Sequence, residues 1–211
     1  MIAPDLSFTL LSHCPVVPVI VLDDPAQAVP LGEALLAGGI TIAEITLRTS
    51  AGLEGIRLLS GQTKLLVGAG SVLVADQVDQ VVDAGAKFIV SPGLSAEVLD
   101  RATVRGLPAL PGVATASDLM AAAARGLSEV KIFPAGLLGG PAVITALSAP
   151  FPGMSFMPSG GVSLDNMSDY LALPTVPAVS GSWMVDPALL RAQRWAEVTE
   201  RAATAMARAR S

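Results

Sequence analysis

KLLVGAG at 64–70, SVLVADQVDQVVDAG at 71–85 and KFIVSPG at 87–93 follow one another with no linker between them. The first and last are short apolar runs ending in small residues, as strands buried on both faces do. The middle stretch opens at Ser71 and closes at Gly85, which are helix start and stop signals. Together they spell a strand, a helix and a second strand. Working outward, the alternation recurs at a spacing of roughly 21–26 residues. Upstream lie VVPVIVL (16–22) and IAEITL (42–47); downstream lie LPALPG (107–112), VKIFPA (130–135), MSFMPSGG (154–161) and VPAVSGS (176–182). DPAQAVPLGEALLAGG (24–39) and TASDLMAAAARG (115–126) repeat the helical pattern. About eight such units predict an α/β fold, a TIM (β/α)8 barrel formed by a single domain over 1–211. A short N-terminal helix over 5–13 is expected to cover its bottom. A doubly wound open sheet is the alternative.

Composition agrees with buried parallel strands. The chain is 52% hydrophobic but only 4% aromatic, so Val, Leu, Ile and Ala must do the packing. The net charge is −5 with no basic cluster, which argues against nucleic acid as a partner. A mean hydropathy of +0.61 raises the question of a membrane. No apolar run approaches the roughly 20 residues of a span, so no membrane partner is expected, and some apolar surplus is assigned to a subunit interface. The single cysteine, Cys14, rules out an internal disulfide. MIAPDLSFTLLSHCP at the start lacks a basic region, so a cytoplasmic location is expected.

Most strands end in Gly, Pro, Ser or Thr: GAGS, SPG, PGVAT, FPAG, PSGG, SGS. Loops after the strands build the active face of such a barrel, where small residues let a ligand approach the backbone. Gly and Pro also punctuate turns, but their recurrence at one end of most units points to a site there.

Three lysines occur. Lys64 and Lys87 open their strands, at the end away from the active face, where they can snorkel to solvent. Lys131 lies mid-strand in Glu129-Val130-Lys131-Ile132-Phe133-Pro134. Alternation turns Val130 and Ile132 toward the helices and Lys131 with Phe133 into the barrel. An ammonium there costs several kcal/mol unless paired or neutralised. Two readings stand side by side: a buried structural ion pair, or a neutral amine able to attack a ketone. In Ala43-Glu44-Ile45-Thr46-Leu47-Arg48 the same alternation sends Glu44, Thr46 and Arg48 inward, with Arg48 nearest the active face. A carboxylate inside the barrel suits proton shuttling, and a guanidinium above it suits a substrate carboxylate.

Ser159-Gly160-Gly161 and Ser180-Gly181-Ser182 follow the last two strands. Loops in those places bind phosphate in many TIM barrels through backbone amides. Asp165 and Asn166 read as helix-start residues. His13 is the only histidine and falls in the leading helix, so a serine–histidine triad and a metal site both lack parts. No metal and no cofactor are expected. GAG at 68–70 lacks the spacing of a dinucleotide fingerprint.

Nearly end to end, the chain resembles the 2-keto-3-deoxy-6-phosphogluconate (KDPG) and 4-hydroxy-2-oxoglutarate (KHG) aldolases. The strings are PVVPVIVLDDPAQAVPLGEALLAGGI, EITLRT, VGAGSV, SPG, PGVAT, VKIFPA, PSGGV and GSW. The resemblance implies a metal-free, Schiff-base lyase in a homotrimer, acting on a phosphorylated 2-oxo acid and releasing pyruvate. It places the Schiff-base lysine on Lys131, the general acid/base on Glu44 and the carboxylate-side arginine on Arg48. Substrate-lining positions fall on Ser71, Pro92, Phe133 and Ser159, and phosphate-side positions on Gly160, Gly161 and Ser182. Ser71 and Ser159 depart from the family's usual Thr and keep the hydroxyl. A branch acting on the galactonate epimer resembles ILRG and EIPLNS, where this chain has VIVLDD and EITLRT. A non-covalent phosphosugar isomerase or epimerase and a non-catalytic phosphosugar-binding barrel are the rivals of other classes.

Overall fold

The computed structural model describes residues 10–210. A 3-10 turn at Leu10–Ser12 leads into β1 (Val16–Ile20), a second turn at Pro25–Gln27, α1 (Ala28–Ala37), β2 (Ile42–Thr46), α2 (Ala51–Gln62) and β3 (Leu66–Gly70). Then come α3 (Ala75–Asp83), β4 (Ile89–Val90), α4 (Ala96–Val104), β5 (Ala109–Leu110), β6 (Gly112–Val113), α5 (Ala116–Ala124) and β7 (Glu129–Ile132). The chain closes with α6 (Ala135–Leu138), α7 (Pro141–Ser148), β8 (Ser155–Pro158), α8 (Met167–Leu171), β9 (Val179–Gly181), α9 (Pro187–Arg191) and α10 (Trp195–Arg208).

Every strand pair is parallel, in the orders β5-β4-β3-β2-β1-β9 and β6-β7-β8. The run LPALPG, expected as one strand, is two. Pro111 has no N–H to give the ladder, so pairing breaks there and β5 and β6 fall into different sheets. The chain itself bridges that seam, and the Pro111 carbonyl accepts from Lys131 N at 2.9 Å. Across the β8–β9 seam, Phe156 N donates to Thr175 O at 2.8 Å and Ser180 Oγ to Pro158 O at 3.4 Å. Counting β5 and β6 as one, the nine strands among the described residues occupy the eight positions of a barrel.

The strands are buried on both sides, and most of their residues are apolar. Val16, Ile20, Ile42, Ile45, Val130, Ile132 and Val179 are fully enclosed. One apolar cluster runs from Leu10 through these strands to Met206 of α10.

The expected leading helix is corrected in part. Over Leu10–Ser12 it is a 3-10 turn, His13 follows it exposed to solvent, and the positions before Leu10 lie outside the described residues. The turn does sit at the barrel bottom: Leu10 N and Leu11 N donate to the Glu129 carboxylate, at the start of β7, at 3.0 and 3.3 Å. Burial raises the Glu129 pKa, and these two amides pull it back only partly.

Candidate active site

Lys131 and Glu44 meet in the barrel. Nζ lies 3.2 Å from Oε1 and 3.3 Å from Oε2, and the two residues are only 4% and 1% exposed. Alternation on β7 and β2 explains the meeting. Val130 and Ile132 pack outward, as do Ala43 and Ile45, so the residues between them have only the interior to enter. Phe133 lies beside the pair, its ring centroid 5.6 Å from Nζ, within reach of a cation–π contact. Lys64 and Lys87 are exposed and precede β3 and β4 at the opposite end.

Toward the active face, Arg48 Nε donates to Ser71 Oγ at 3.1 Å. Ser71 holds a left-handed backbone, φ 58°, as the chain turns out of β3. A β-branched residue would be strained there, which gives serine a local reason at this position. Arg48 is itself exposed, at the end where β2 leaves the barrel. Pro92 is exposed in the loop after β4, where Ser91 Oγ donates to Gly93 O at 2.7 Å and fixes the turn.

The two loops assigned to phosphate have distinct supports. Ser159 is buried; its amide donates to Ile132 O at 3.0 Å and its carbonyl accepts from Ala135 N at 2.8 Å. The Gly160 carbonyl accepts from Gly136 N at 2.8 Å. With those carbonyls turned toward α6, the amides of Gly160, Gly161 and Val162 make no hydrogen bond among the described residues. Gly160 and Gly161 have φ of 82° and 88°, so turn geometry also calls for glycine at both. Ser182 is exposed at the end of β9.

Sequence reasoning missed three supports. Thr46 was recognisable as inward-facing, and its hydroxyl bonds Ile20 O at 2.9 Å, tying β2 to β1. Ser91 carried no signal beyond SPG. Asn166, read as a helix cap, makes no cap bond to α8. Its Nδ2 instead donates to Gly161 O and its Oδ1 accepts from Ser163 N, both at 2.9 Å. That brace spans the loop bearing the free amides.

A buried lysine–carboxylate pair beneath an arginine, beside a cradle of backbone amides, fits an enzyme that forms an imine on a phosphorylated oxo acid. The sequence profile of the family described as KDPG and KHG aldolase matches residues 9–201. The chain belongs to the KDPG and KHG aldolase family. A 2-dehydro-3-deoxy-phosphogluconate aldolase of Pseudomonas aeruginosa is 46% identical over 90% of this chain and 87% of its own. The KDPG aldolase of Legionella pneumophila, solved with pyruvate captured as a covalent carbinolamine, superposes with a TM-score of 0.91 at 39% identity. That match covers 93% of this chain and 96% of the other. The Zymomonas mobilis KDPG aldolase with 3-phosphoglycerate gives 0.89 at 37%, covering 97% and 96%. A KDPGal structure is more distant, at 28% identity and 0.84, covering 94% and 95%. As a KDPG/KHG aldolase the chain is a lyase built on a TIM barrel, and its family resemblance, read first from short strings, holds along nearly the whole length. No helix among the described residues is long and apolar enough to cross a membrane.

Proposed function

We propose that this aldolase cleaves 2-keto-3-deoxy-6-phosphogluconate to pyruvate and glyceraldehyde 3-phosphate through a Schiff base on Lys131. The observation that carries the reading is the buried Lys131–Glu44 contact. Across this contact a proton can pass from Nζ to the carboxylate, leaving a neutral amine for attack. The amine adds to C2 as its proton passes to the C2 oxygen. Glu44 hands the proton it took from Nζ to the carbinolamine hydroxyl, which leaves as water and gives an iminium, with Glu44 again a carboxylate. Glu44 takes the C4 hydroxyl proton as the C3–C4 bond breaks; the bonding pair flows into the iminium and leaves an enamine. Glyceraldehyde 3-phosphate departs as its aldehyde. Return of a proton to C3 and hydrolysis by water release pyruvate and restore the lysine.

Arg48, oriented by Ser71, holds the substrate carboxylate. Pro92, Phe133 and Ser159 line the chain of the substrate. Gly160, Gly161 and Ser182 receive the phosphate through amides and a hydroxyl. 4-Hydroxy-2-oxoglutarate, which carries the same reacting atoms without phosphate, is a second substrate of the same lysine. The working form is a cytoplasmic homotrimer in which each 1–211 chain is one catalytic domain.

Borohydride reduction in the presence of pyruvate, followed by mass mapping, tests this reading. A stable adduct on Lys131 is expected. An adduct on Lys64 or Lys87 reassigns the nucleophile, and no adduct at all favours a non-covalent isomerase or a binding protein. Turnover of the galactonate epimer faster than the gluconate would move the chain to the other branch.

A further inference from the structure

Gly70 ends β3, paired in register with Thr46 of β2. Its backbone does not demand glycine: the left-handed conformation begins one residue later, at Ser71. The space around it does. A Cβ on Gly70 would stand 2.5 Å from Cγ and 2.7 Å from Cδ of Glu44, and closer still to Oε1. Carbon atoms in van der Waals contact need about 3.5–4.0 Å. The carboxylate therefore fills the volume that any side chain at position 70 would take.

Glu44 has little else to hold it there. Among the described residues its carboxylate accepts hydrogen bonds from Lys131 Nζ alone. Lys131 draws it from one side, and the bare Cα of Gly70 leaves the opening on the other. Gly68, on the same face of β3, lacks a side chain for a different reason, because a Cβ there would strike the Phe88 ring.

We infer that Gly70 is a positioning residue for the aldol step: by leaving out a side chain it fixes where the Glu44 carboxylate stands against Lys131. The inference rests on the Schiff-base reading above and adds a residue that acts only through Glu44. A methyl group at position 70 pushes the carboxylate off its place while leaving the lysine on its own strand.

Gly70→Ala is the test, with Gly68→Ala as the control for strand packing. Gly70→Ala is expected to keep pyruvate trapping on Lys131 within about tenfold of the parent. Its cleavage kcat should fall by roughly 10²–10⁴-fold, the range of a lost general acid–base group, with the pH profile of Glu44→Gln. The double variant Gly70→Ala/Glu44→Gln should be no slower than Glu44→Gln, because both changes remove one contribution. Gly68→Ala lowers Tm without that split between trapping and turnover. Should Gly70→Ala unfold, the Glu44→Ala background removes Cγ and the carboxylate that the methyl would strike, and there Gly70→Ala is expected to cost no Tm relative to Glu44→Ala alone. Parent-like kcat in folded Gly70→Ala, losses that add in the double variant, or an undiminished Tm loss from Gly70→Ala in the Glu44→Ala background would each overturn the inference. If the parent enzyme itself fails to trap pyruvate on Lys131, the Schiff-base reading fails instead, which is a separate and distinguishable result.

Discussion

At the scale of single residues, the buried Lys131–Glu44 pair has opposite consequences for stability and chemistry. Two charges taken out of water lose hydration that their mutual attraction only partly restores. Breaking one side should cost about 3–5 kcal/mol, since the remaining charge stays buried without a partner. Replacing both sides with apolar groups should be neutral or stabilising by up to about 4 kcal/mol. Lys131→Met is therefore expected to lower the unfolding free energy, and Lys131→Met/Glu44→Leu to regain it while remaining inactive. Denaturant melts of the three proteins decide; a double variant as unstable as the single one would make the pair a structural bond. Activity separates the partners differently. Lys131→Ala should abolish both cleavage and trapping. Glu44→Gln should still form the pyruvate adduct, more slowly, and lose about 10²–10⁴-fold in turnover. Near-parental turnover in Glu44→Gln would remove that carboxylate from proton transfer.

At the scale of elements, two polar side chains set loop geometry that the apolar pattern leaves open. Asp118, in the first turn of α5, accepts from Ala114 N, Thr115 N and Thr115 Oγ1 at 3.0, 2.9 and 2.9 Å. Thr115 Oγ1 in turn accepts from Asp118 N at 3.2 Å, closing a capping box. Burial opposes the Asp118 charge, but the three donors outweigh it and hold its pKa below the usual 3.8. An acid with a depressed folded pKa stabilises the fold above its unfolded pKa and loses that stabilisation as pH falls through the folded value. Asp118→Ala should thus cost about 0.5–2 kcal/mol at neutral pH, as lost caps do. The gap between parent and variant should narrow below pH 3.8. A gap that persists unchanged in acid would mean that packing, not the carboxylate, is at stake.

Asn166 does comparable work on the loop after β8. Asn166→Ala and Ser182→Ala should each raise KM for the phosphorylated substrate by about tenfold, equivalent to roughly 1.4 kcal/mol. KM for 4-hydroxy-2-oxoglutarate should barely change, because the lysine end is untouched. Equal losses on both substrates, together with a falling Tm, would leave the loop a structural feature only. Gly160 and Gly161 are poorer probes, since their positive φ strains any replacement.

For the molecule as a whole, the electron sink of the mechanism is an iminium on the chain itself, so EDTA should leave turnover unchanged. Activity lost to chelation and restored by a divalent ion would contradict that. Sedimentation equilibrium should return three times the 21.4 kDa chain mass; a monomer mass would remove the trimer.

What the sequence determined by itself is whatever follows from local periodicity. Runs such as VKIFPA and IAEITL are strands because their apolar residues alternate around one charged residue, and that alternation alone sent Lys131 and Glu44 inward. Short motifs in order supplied the family. Only the tertiary structure decided the rest, because it depends on distances between residues far apart in the chain. Lys131 and Glu44 are 87 positions apart, and nothing local shows that their side chains touch. The break of LPALPG at Pro111 depends on which neighbour lacks a donor, and the brace from Asn166 on how a loop folds back. The need for glycine at position 70 is wholly of this kind: its backbone is ordinary, and only the packed barrel shows that Glu44 already occupies the place of its side chain.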